Sequence, residues 1–311
     1  MTPLRWTLAV AIIVIVELIN RLAGVGMSMI LTEMLILALF ASSLGLLMSY
    51  GQMVSFGHAA YFGLGAYGFT LAAARFGLPV EIAVFIGPLV AGIGGLFFGA
   101  LCVRLTEIYF AMLTLACAEI TFTVLFQWYD FTGGDTGITG FMDPRFGLSE
   151  QNFMTLVLVV LIACLLIMAW IVKSPLGLSI RVVGQDRWRA AALGLAPRRV
   201  QLTVFVIASF FAGIAGTLFA VFQGSAFPDY AGLGFYAGCA DHGGLGGLSS
   251  FWGGVVGAAV LVQLEHLVTS VTSHWELLLG LSVLVMVLVV PQGLTSVVGR
   301  LSDMLGLGKR K

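Results

Sequence analysis

The stretch VSFGHAAYFGLGAYG, from Val54 to Gly68, combines a membrane-like composition with residues that weaken a helix. It contains His58 and four glycines. Glycine in a membrane helix has two common uses: it lets helices pack closely, or it marks a break whose backbone groups line a cavity. Ala66 and the glycines around it favour close packing, whereas Gly51 and Gly57 favour a break. The sequence therefore predicts a tightly packed membrane helix preceded by an interruption.

The composition of the whole chain indicates an integral membrane protein. Charged residues make up 10% and hydrophobic residues 59% of the 311, and the mean hydropathy is +1.05. A soluble domain carries about 25% charged residues. The first apolar run directly follows Arg5 without a small-residue cleavage site, so it is interpreted as a span and not as a signal peptide. The predicted fold is all-α and polytopic, with a single transmembrane domain over residues 1–311.

Eight apolar runs, most of them near the roughly 20 residues that a bilayer requires, are predicted to cross the membrane. They are Trp6–Ile19, Met27–Met48, Phe56–Ala74, Val80–Val103, Ile108–Trp128, Phe153–Val172, Gln201–Phe222 and Trp275–Val290. The glycine-rich region 229–268 lies between the last two runs and holds one further span, or one and a broken second.

Basic residues predict the orientation of these spans. Residues 173–200 carry six Lys and Arg, which favours a cytoplasmic loop by the positive-inside rule. Counting back six crossings places Arg5 inside and the acidic loop 129–151 outside. The basic tail 292–311 also favours the cytoplasm, which requires an even number of crossings after residue 200. We therefore predict about ten transmembrane helices, some discontinuous, with both termini in the cytoplasm.

A short helix is predicted over residues 186–195 within this loop. Asp186 suits the N-cap, since an acid there accepts backbone N–H groups and complements the helix dipole. An apolar stripe follows at helical spacing, formed by Trp188, Ala191, Ala192 and Leu195. Such a helix can lie on lipid or dock into a groove of a partner protein. Its small alanines bury little area in lipid, which favours docking.

The residues from Arg187 to Ala220, RWRAAALGLAPRRVQLTVFVIASFFAGIAGTLFA, resemble the coupling segment of ABC importer permeases. The hallmark of that segment is an acidic-Ala-Ala stretch with a glycine three positions later, and Ala190, Ala191 and Gly194 fit it. SFGHAAYFGLGAY, FTGGDTGITG, GGLGGLSSFWGGVVGA and PQGL follow in family order and are most similar to the LivM-type subunit of branched-chain amino-acid importers. Arg189 departs from the family pattern, which has an acidic residue there.

The resemblance implies a pseudo-twofold heterodimer with a LivH-type permease in the bacterial inner membrane. It also implies two ATPase subunits, which bind ATP and Mg²⁺, and a periplasmic or lipid-anchored substrate-binding protein. This chain itself would be a non-catalytic permease subunit, embedded in membrane lipid, with no cofactor of its own. The coupling contacts are expected from Asp186, Arg187, Trp188, Arg189, Ala190, Ala191, Leu193, Gly194 and Leu195.

Several polar residues are candidates for the substrate pathway. They are Ser55, His58, Tyr61, Thr114, Glu119, Asp241 and His242. A buried structural histidine, hydrogen-bonded between helices, is the alternative for His58. A polar cluster with Thr114, Thr121 and Thr123 between helices is the alternative for Glu119. Asp241 and His242 depart from an apolar family position, so urea or short amides stay open beside branched-chain amino acids as substrates.

A secondary transporter and a membrane enzyme are the two alternative classes of protein. A secondary transporter would use protonation of Glu119 or Asp241, although the single basic loop does not suit two inverted halves. A membrane enzyme would need a catalytic constellation, and the sequence has no Walker A loop, nucleophile elbow or HExxH motif. Its four cysteines have no metal-ligand spacing and are expected to pack as small apolar residues. No basic stripe with interleaved aromatic residues indicates nucleic-acid binding.

Overall fold

The computed structural model describes residues 15–22, 24–105, 107–140, 147–236, 253–271 and 275–289. These residues are overwhelmingly helical, which confirms the all-α membrane fold. The helices are α1 (Val25–Gly45), α2 (His58–Ala74), α3 (Val80–Cys102), α4 (Glu107–Gln127), α5 (Tyr129–Thr132), α6 (Glu150–Lys173), α7 (Pro175–Gln185), α8 (Arg187–Ala192), α9 (Pro197–Gln223), α10 (Gly253–Val271) and α11 (Trp275–Val289). Residues 15–22 are also helical.

Five of the described helices are long and apolar enough to cross a membrane. They are Val25–Tyr50, Val80–Cys102, Ile108–Gln127, Glu150–Lys173 and Pro197–Gln223. Helices α2, α10 and α11 are apolar but shorter or less completely described. The total of ten spans therefore stays a prediction, and the tail 292–311 lies outside the described residues.

The predicted interruption before His58 is confirmed. Helix α1 passes into a π-helical turn at Leu46–Tyr50, and the next helix begins only at His58. Between them the backbone is irregular, and Gln52 has a φ of 48°, which is uncommon for a residue other than glycine. Irregular backbone inside a membrane protein needs partners for its polar groups. Thr114 Oγ1 accepts the amide of Phe56 at 3.2 Å and thereby supplies one of them.

Helices α2, α3 and α9 pack closely on one another, and they approach through glycines. A Cβ at Gly65 would overlap the backbone of Gly213 on α9, and a Cβ at Gly216 would overlap the carbonyl of Phe62 on α2. The hydroxyl of Thr217 donates to the carbonyl of Gly65 at 3.2 Å across the same contact. The predicted close packing of this segment is therefore confirmed.

Helices α3 and α6 form much of the outer surface. Away from the helix ends their exposed side chains are apolar, as at Phe85 (72% exposed), Ile93 (66%) and Trp170 (73%). In a chain with this composition such surfaces face lipid, because hydrocarbon satisfies apolar side chains as well as protein does. The exposed faces of α3 and α6 therefore show what a lipid-facing surface of this protein is like, and other exposed faces can be compared with them.

At one end of the bundle, the FTGGDTGITG segment forms consecutive tight turns. All four glycines there adopt positive φ, and strand β1 (Ile138–Thr139) pairs antiparallel with β2 (Ser225–Ala226). A Cβ at Gly137 would overlap the carbonyl of Ala226, so glycine is required for this approach. The predicted turn-rich connection is confirmed.

Helices α7 and α8 lie at the opposite end. Helix α6 ends at Lys173, and the hydroxyl of Ser174 caps α7 by accepting the amide of Gly177, with Pro175 as the first helical residue. Proline suits that position, since its missing N–H would be unpaired there anyway. The chain reverses at Asp186 and enters α8, whose geometry defines the candidate coupling site.

Candidate coupling site and substrate pathway

Asp186 starts α8 as predicted. Its Oδ1 accepts the backbone amides of Trp188 (2.8 Å) and Arg189 (3.1 Å), and its Oδ2 lies 3.0 Å from Nε of Arg189. One carboxylate therefore serves as helix cap and as ion-pair partner. The basic residue that departs from the family pattern at position 189 is paired within its own first turn.

The predicted length of this helix was wrong. Helix α8 ends at Ala192 and not at 195, because Gly194 adopts a φ of +84° and the chain turns back on itself. The amide of Leu195 donates to the carbonyl of Ala190 at 3.1 Å, which closes this turn. Glycine just after a helix commonly takes this left-handed conformation, so the signal was present in the sequence.

Most of the exposed surface of α8 and of the turn after it is apolar, and Arg189, paired with Asp186, is an exposed charge beside it. Trp188 is 88% exposed and Leu193 is 74% exposed, and Ala191 and Ala192 also face outward. Ala190 is the residue that packs inward, with no exposed surface. The predicted stripe therefore points away from the bundle, apart from Leu195, which is half-buried in the turn. An exposed tryptophan beside a leucine is the kind of anchor that fills a pocket in a partner protein.

Arg187 fastens α8 to the rest of the bundle. Its guanidinium donates to the carbonyl of Leu105 at 3.1 Å and to Oε1 of Gln201 at the start of α9. Partial burial, followed by the nearby charge of Arg198, lowers the pKa of Arg187 below its ordinary value. These two hydrogen bonds link α8 both to the α3–α4 connection and to α9.

His58 is completely buried at the first residue of α2. Its Nε2 lies 2.9 Å from Oγ of Ser43, and that hydroxyl also lies 2.7 Å from the carbonyl of Phe40. A carbonyl can only accept, so the single hydroxyl proton of Ser43 is directed at Phe40. Nδ1 of His58 has no partner among the described residues, so we assign the ring proton to Nε2, where Ser43 can accept it.

Ser55, Tyr61 and Thr114 surround this interruption. Ser55 is buried and its Oγ has no partner in the described part of the chain, whereas its carbonyl accepts the hydroxyl of Tyr236 at 2.6 Å. The ring of Tyr61 lies edge-on to His58 with a 6.0 Å centroid separation. Four of the predicted pathway residues are thus brought together in one buried polar region at the break.

Glu119 lies apart from that region, on an exposed face of α4. The predicted polar cluster does not form, because Thr114 and Thr121 are buried and donate to carbonyls of their own helix, at 2.8 and 2.9 Å. Glu119 has no hydrogen bond or ion pair within the described ranges. The sequence alone does not show which side of α4 is buried, because apolar and polar residues are spread almost evenly around this helix. The exposure of Glu119 is therefore decided by tertiary packing.

The exposed face around Glu119 differs from the lipid-facing surfaces. One stripe of it, at helical spacing, is formed by Tyr109, Met112, Ala116, Glu119, Thr123 and Gln127, and the apolar Ile120 and Val124 are exposed beside this stripe. Helices α3 and α6 expose apolar side chains through their central turns, whereas this stripe on α4, hereafter the polar stripe, includes a carboxylate and a hydroxyl in the middle of an apolar helix. A charged group in hydrocarbon costs several kcal/mol, so the polar stripe does not suit lipid.

Glu33 and the cysteines are the other polar or reactive residues in the apolar segments. Oε2 of Glu33 on α1 lies 3.5 Å from Nε2 of His266 on α10, so this carboxylate has a polar partner on a neighbouring helix. Asp241 and His242 lie outside the described residues. Cys102, Cys117 and Cys164 are buried and form no disulfide, whereas Cys239 is not described.

Sequence reasoning missed several contacts at these sites. Ser43, which orients His58, and Gln201, which receives Arg187, carried no local signal. Tyr50 was missed as well: the guanidinium of Arg181 on α7 lies 4.9 Å from the centre of its ring. Each depends on residues far apart in the chain.

Comparison with known proteins agrees with this architecture. A family described as "Branched-chain amino acid transport system / permease component" matches residues 26–290. The high-affinity branched-chain amino acid transport system permease proteins LivM of Escherichia coli (strain K12) and of Salmonella typhimurium (strain LT2) are each 28% identical over 261 residues. The alignments cover 74% of this chain, which spans 61% of the length of these curated relatives. No solved structure matches the chain.

Proposed function

Since the chain belongs to the family of branched-chain amino acid transport system permease components, we propose that it forms one membrane-spanning half of an ATP-driven importer. Branched-chain amino acids are the proposed substrates, in keeping with the names of its relatives. The second half is a LivH-type permease. Two ATPase subunits, which bind ATP and Mg²⁺, dock at the α7–α8 end, and this end is cytoplasmic. A substrate-binding protein delivers solute at the end that carries the β1–β2 pair.

The observation that carries this proposal is the exposed apolar surface of α8. Trp188 and Leu193 project into water from a helix that Asp186 caps and Arg187 ties to the bundle. A rigid apolar projection of this kind favours insertion into a groove of a partner. Docking of an ATPase subunit there would convert its movement into a displacement of the helices to which α8 is fastened.

The contacts of α7 and α8 provide a route for that displacement. Arg187 links α8 to the start of α9, and Gly184 at the end of α7 packs on the carbonyls of Tyr50 and Gly51, where a Cβ would lie 3.1 Å from each oxygen. A push on α8 would therefore reach both a central helix and the interruption before His58. Alternating access follows if this movement opens the pathway at one end and closes it at the other.

The polar stripe on α4 supports a position beside the translocation pathway. A water-filled space shared with the second permease would hydrate Glu119, whose carboxylate has no partner within the described ranges. The buried region at Ser55, His58, Tyr61 and Thr114 would move with the interruption and act as its internal lining. No single chain would then contain the complete pathway.

Replacing Trp188 tests the coupling proposal. Trp188→Asp should abolish copurification of the ATPase subunits, because the anchor becomes charged, while the thermal unfolding of the permease stays unchanged, because the side chain is exposed. Trp188→Phe keeps an apolar ring and should retain the complex. Retention of the ATPase by the Asp variant would contradict docking through α8.

Replacing Glu119 tests the pathway assignment. Glu119→Leu should lower uptake of branched-chain amino acids several-fold without lowering the unfolding temperature, whereas Glu119→Gln should retain more uptake because it keeps a polar group. A lipid-facing residue would give the opposite pattern, with normal uptake in the Leu variant. Uphill transport by the isolated chain on a proton gradient would instead favour a secondary transporter.

A further inference from the structure

A cleft of about 280 Å³ opens where α6 meets α7, and the proposed transport cycle makes no use of it. Its lining residues are Val172, Lys173, Ser174, Leu178 and Arg181. Two of the five are cationic and none is acidic. The cleft therefore has the electrostatic character of an anion site.

The backbone adds to this positive character. Helix α7 begins at the cleft, so the partial positive charge of its N-terminal end lies beside Lys173 and Arg181. Arg181 does not move freely, because its guanidinium is stacked on the ring of Tyr50 at 4.9 Å. Lys173 is exposed and is free to follow a ligand.

The apolar surroundings narrow the class of anion. Leu178 on the rim is 65% exposed, and Trp170 one turn earlier on α6 is 73% exposed. Helix α7 buries Ile180 and Val183 against the bundle and turns Leu178 outward, as a helix lying along a membrane surface does. Exposed tryptophan beside lysine at the end of a span marks the level of the lipid headgroups. A ligand with both a phosphate and acyl chains would satisfy both parts of this surface.

We propose that this cleft binds an anionic phospholipid, with Lys173 and Arg181 contacting the headgroup phosphate and Leu178 contacting an acyl chain. Soluble phosphate offers the same charge but leaves Leu178 uncovered. Because Arg181 also touches Tyr50, the bound lipid holds α7 against the chain just before the interruption. A lipid in the cleft thereby restrains Tyr50 and the interruption that follows it. Movement of α8 would reach α2 through this interruption.

Binding to the purified, detergent-solubilised full chain tests this site. Native mass spectrometry would measure adducts with phosphatidylglycerol, with phosphatidylcholine and, in a separate arm, with inorganic phosphate. Phosphatidylglycerol should bind in preference to phosphatidylcholine, and Lys173→Gln/Arg181→Gln should weaken its binding on the order of tenfold, given the usual contribution of a basic residue near anionic lipid. The matched control is Arg198→Gln/Arg199→Gln, which removes two exposed cations from the same end of the molecule and should leave the binding unchanged.

Three results would overturn the proposal. One is equal binding of phosphatidylglycerol by the native chain and by the Lys173→Gln/Arg181→Gln variant. Another is equal loss in the Arg198→Gln/Arg199→Gln control, which would indicate nonspecific attraction. The third is full displacement of the lipid by inorganic phosphate, which would assign the cleft to a soluble anion. If the double variant unfolds, Lys173→Gln alone should still weaken binding several-fold, since Lys173 is exposed.

Discussion

The pair formed by Ser43 and His58 shows how a polar residue is accommodated in the centre of this bundle. Both side chains are completely buried, so an unpaired N–H or hydroxyl would cost more than an exposed one. The hydroxyl of Ser43 accepts from Nε2 of His58 and donates to the carbonyl of Phe40, and Nδ1 has no partner among the described residues. A histidine oriented in this way presents an acceptor, and not a positive charge, to the interruption beside it.

Removing the hydroxyl of Ser43 should therefore destabilise the protein. Ser43→Ala leaves a buried N–H of His58 without an acceptor, at an expected cost of about 1–3 kcal/mol, which thermal unfolding in detergent would detect. Ser42→Ala is the matched control, because within the described part of the chain the hydroxyl of Ser42 donates to the carbonyl of Ala38 in its own helix and to no other group. Nitrogen NMR of labelled His58 should report a protonated Nε2, and a protonated Nδ1 would contradict the assignment.

Among the elements, α2, α3 and α9 show that glycine position decides how closely membrane helices approach. Gly65, Gly87, Gly213 and Gly216 each lie where a Cβ would overlap a backbone or side-chain atom of a neighbouring helix. Other helical glycines, such as Gly45 in α1, have open space around them. Glycine content alone does not distinguish these two groups.

This difference predicts opposite effects for the same substitution. Gly65→Ala should lower the free energy of unfolding by about 1–3 kcal/mol, as overpacking of a filled interior generally does, because its methyl group meets the backbone of Gly213. Gly45→Ala should be neutral or slightly stabilising, since alanine favours a helix and nothing lies within 4 Å of the added atom. Thermal unfolding of the two variants measures the comparison, and equal destabilisation would contradict the proposed packing.

Over the whole molecule, the connections divide into two groups at opposite ends. The FTGGDTGITG turns and the β1–β2 pair lie at one end, and α7, α8 and the contact with Leu105 lie at the other. This grouping agrees with the alternation of crossings that the basic residues predict. A cytoplasmic position of α7 and α8 follows from the positive-inside rule and stays a prediction.

Cysteine labelling tests this orientation. Thr136→Cys should react with a membrane-impermeant maleimide in intact cells, whereas Gln185→Cys should react only after the cells are opened, since both positions are exposed but lie at opposite ends. The unmodified chain is the control, and its Cys102, Cys117 and Cys164 are buried. Labelling of Gln185→Cys in intact cells would reverse the topology and remove the α8 surface from the reach of an ATPase.

Local features were predictable because short-range physics determines them. Long apolar runs become helices wherever backbone hydrogen bonds must be made internally, and Asp186 caps α8 because its carboxylate reaches amides only two and three residues away. The interruption before His58 was likewise signalled by its glycines. The end of α8 was misjudged, although Gly194 marked it.

Contacts between distant residues could only be decided by the folded structure. Hydropathy contains no information about which face of α4 meets the bundle, so it left Glu119 open between the substrate pathway and a polar cluster; the structure shows its side chain exposed and outside such a cluster. The bonds from Ser43 to His58 and from Arg187 to Gln201, and the stacking of Arg181 on Tyr50, depend on the rotation and depth of each helix. Those are set by packing against several neighbours at once, and a linear pattern cannot specify them.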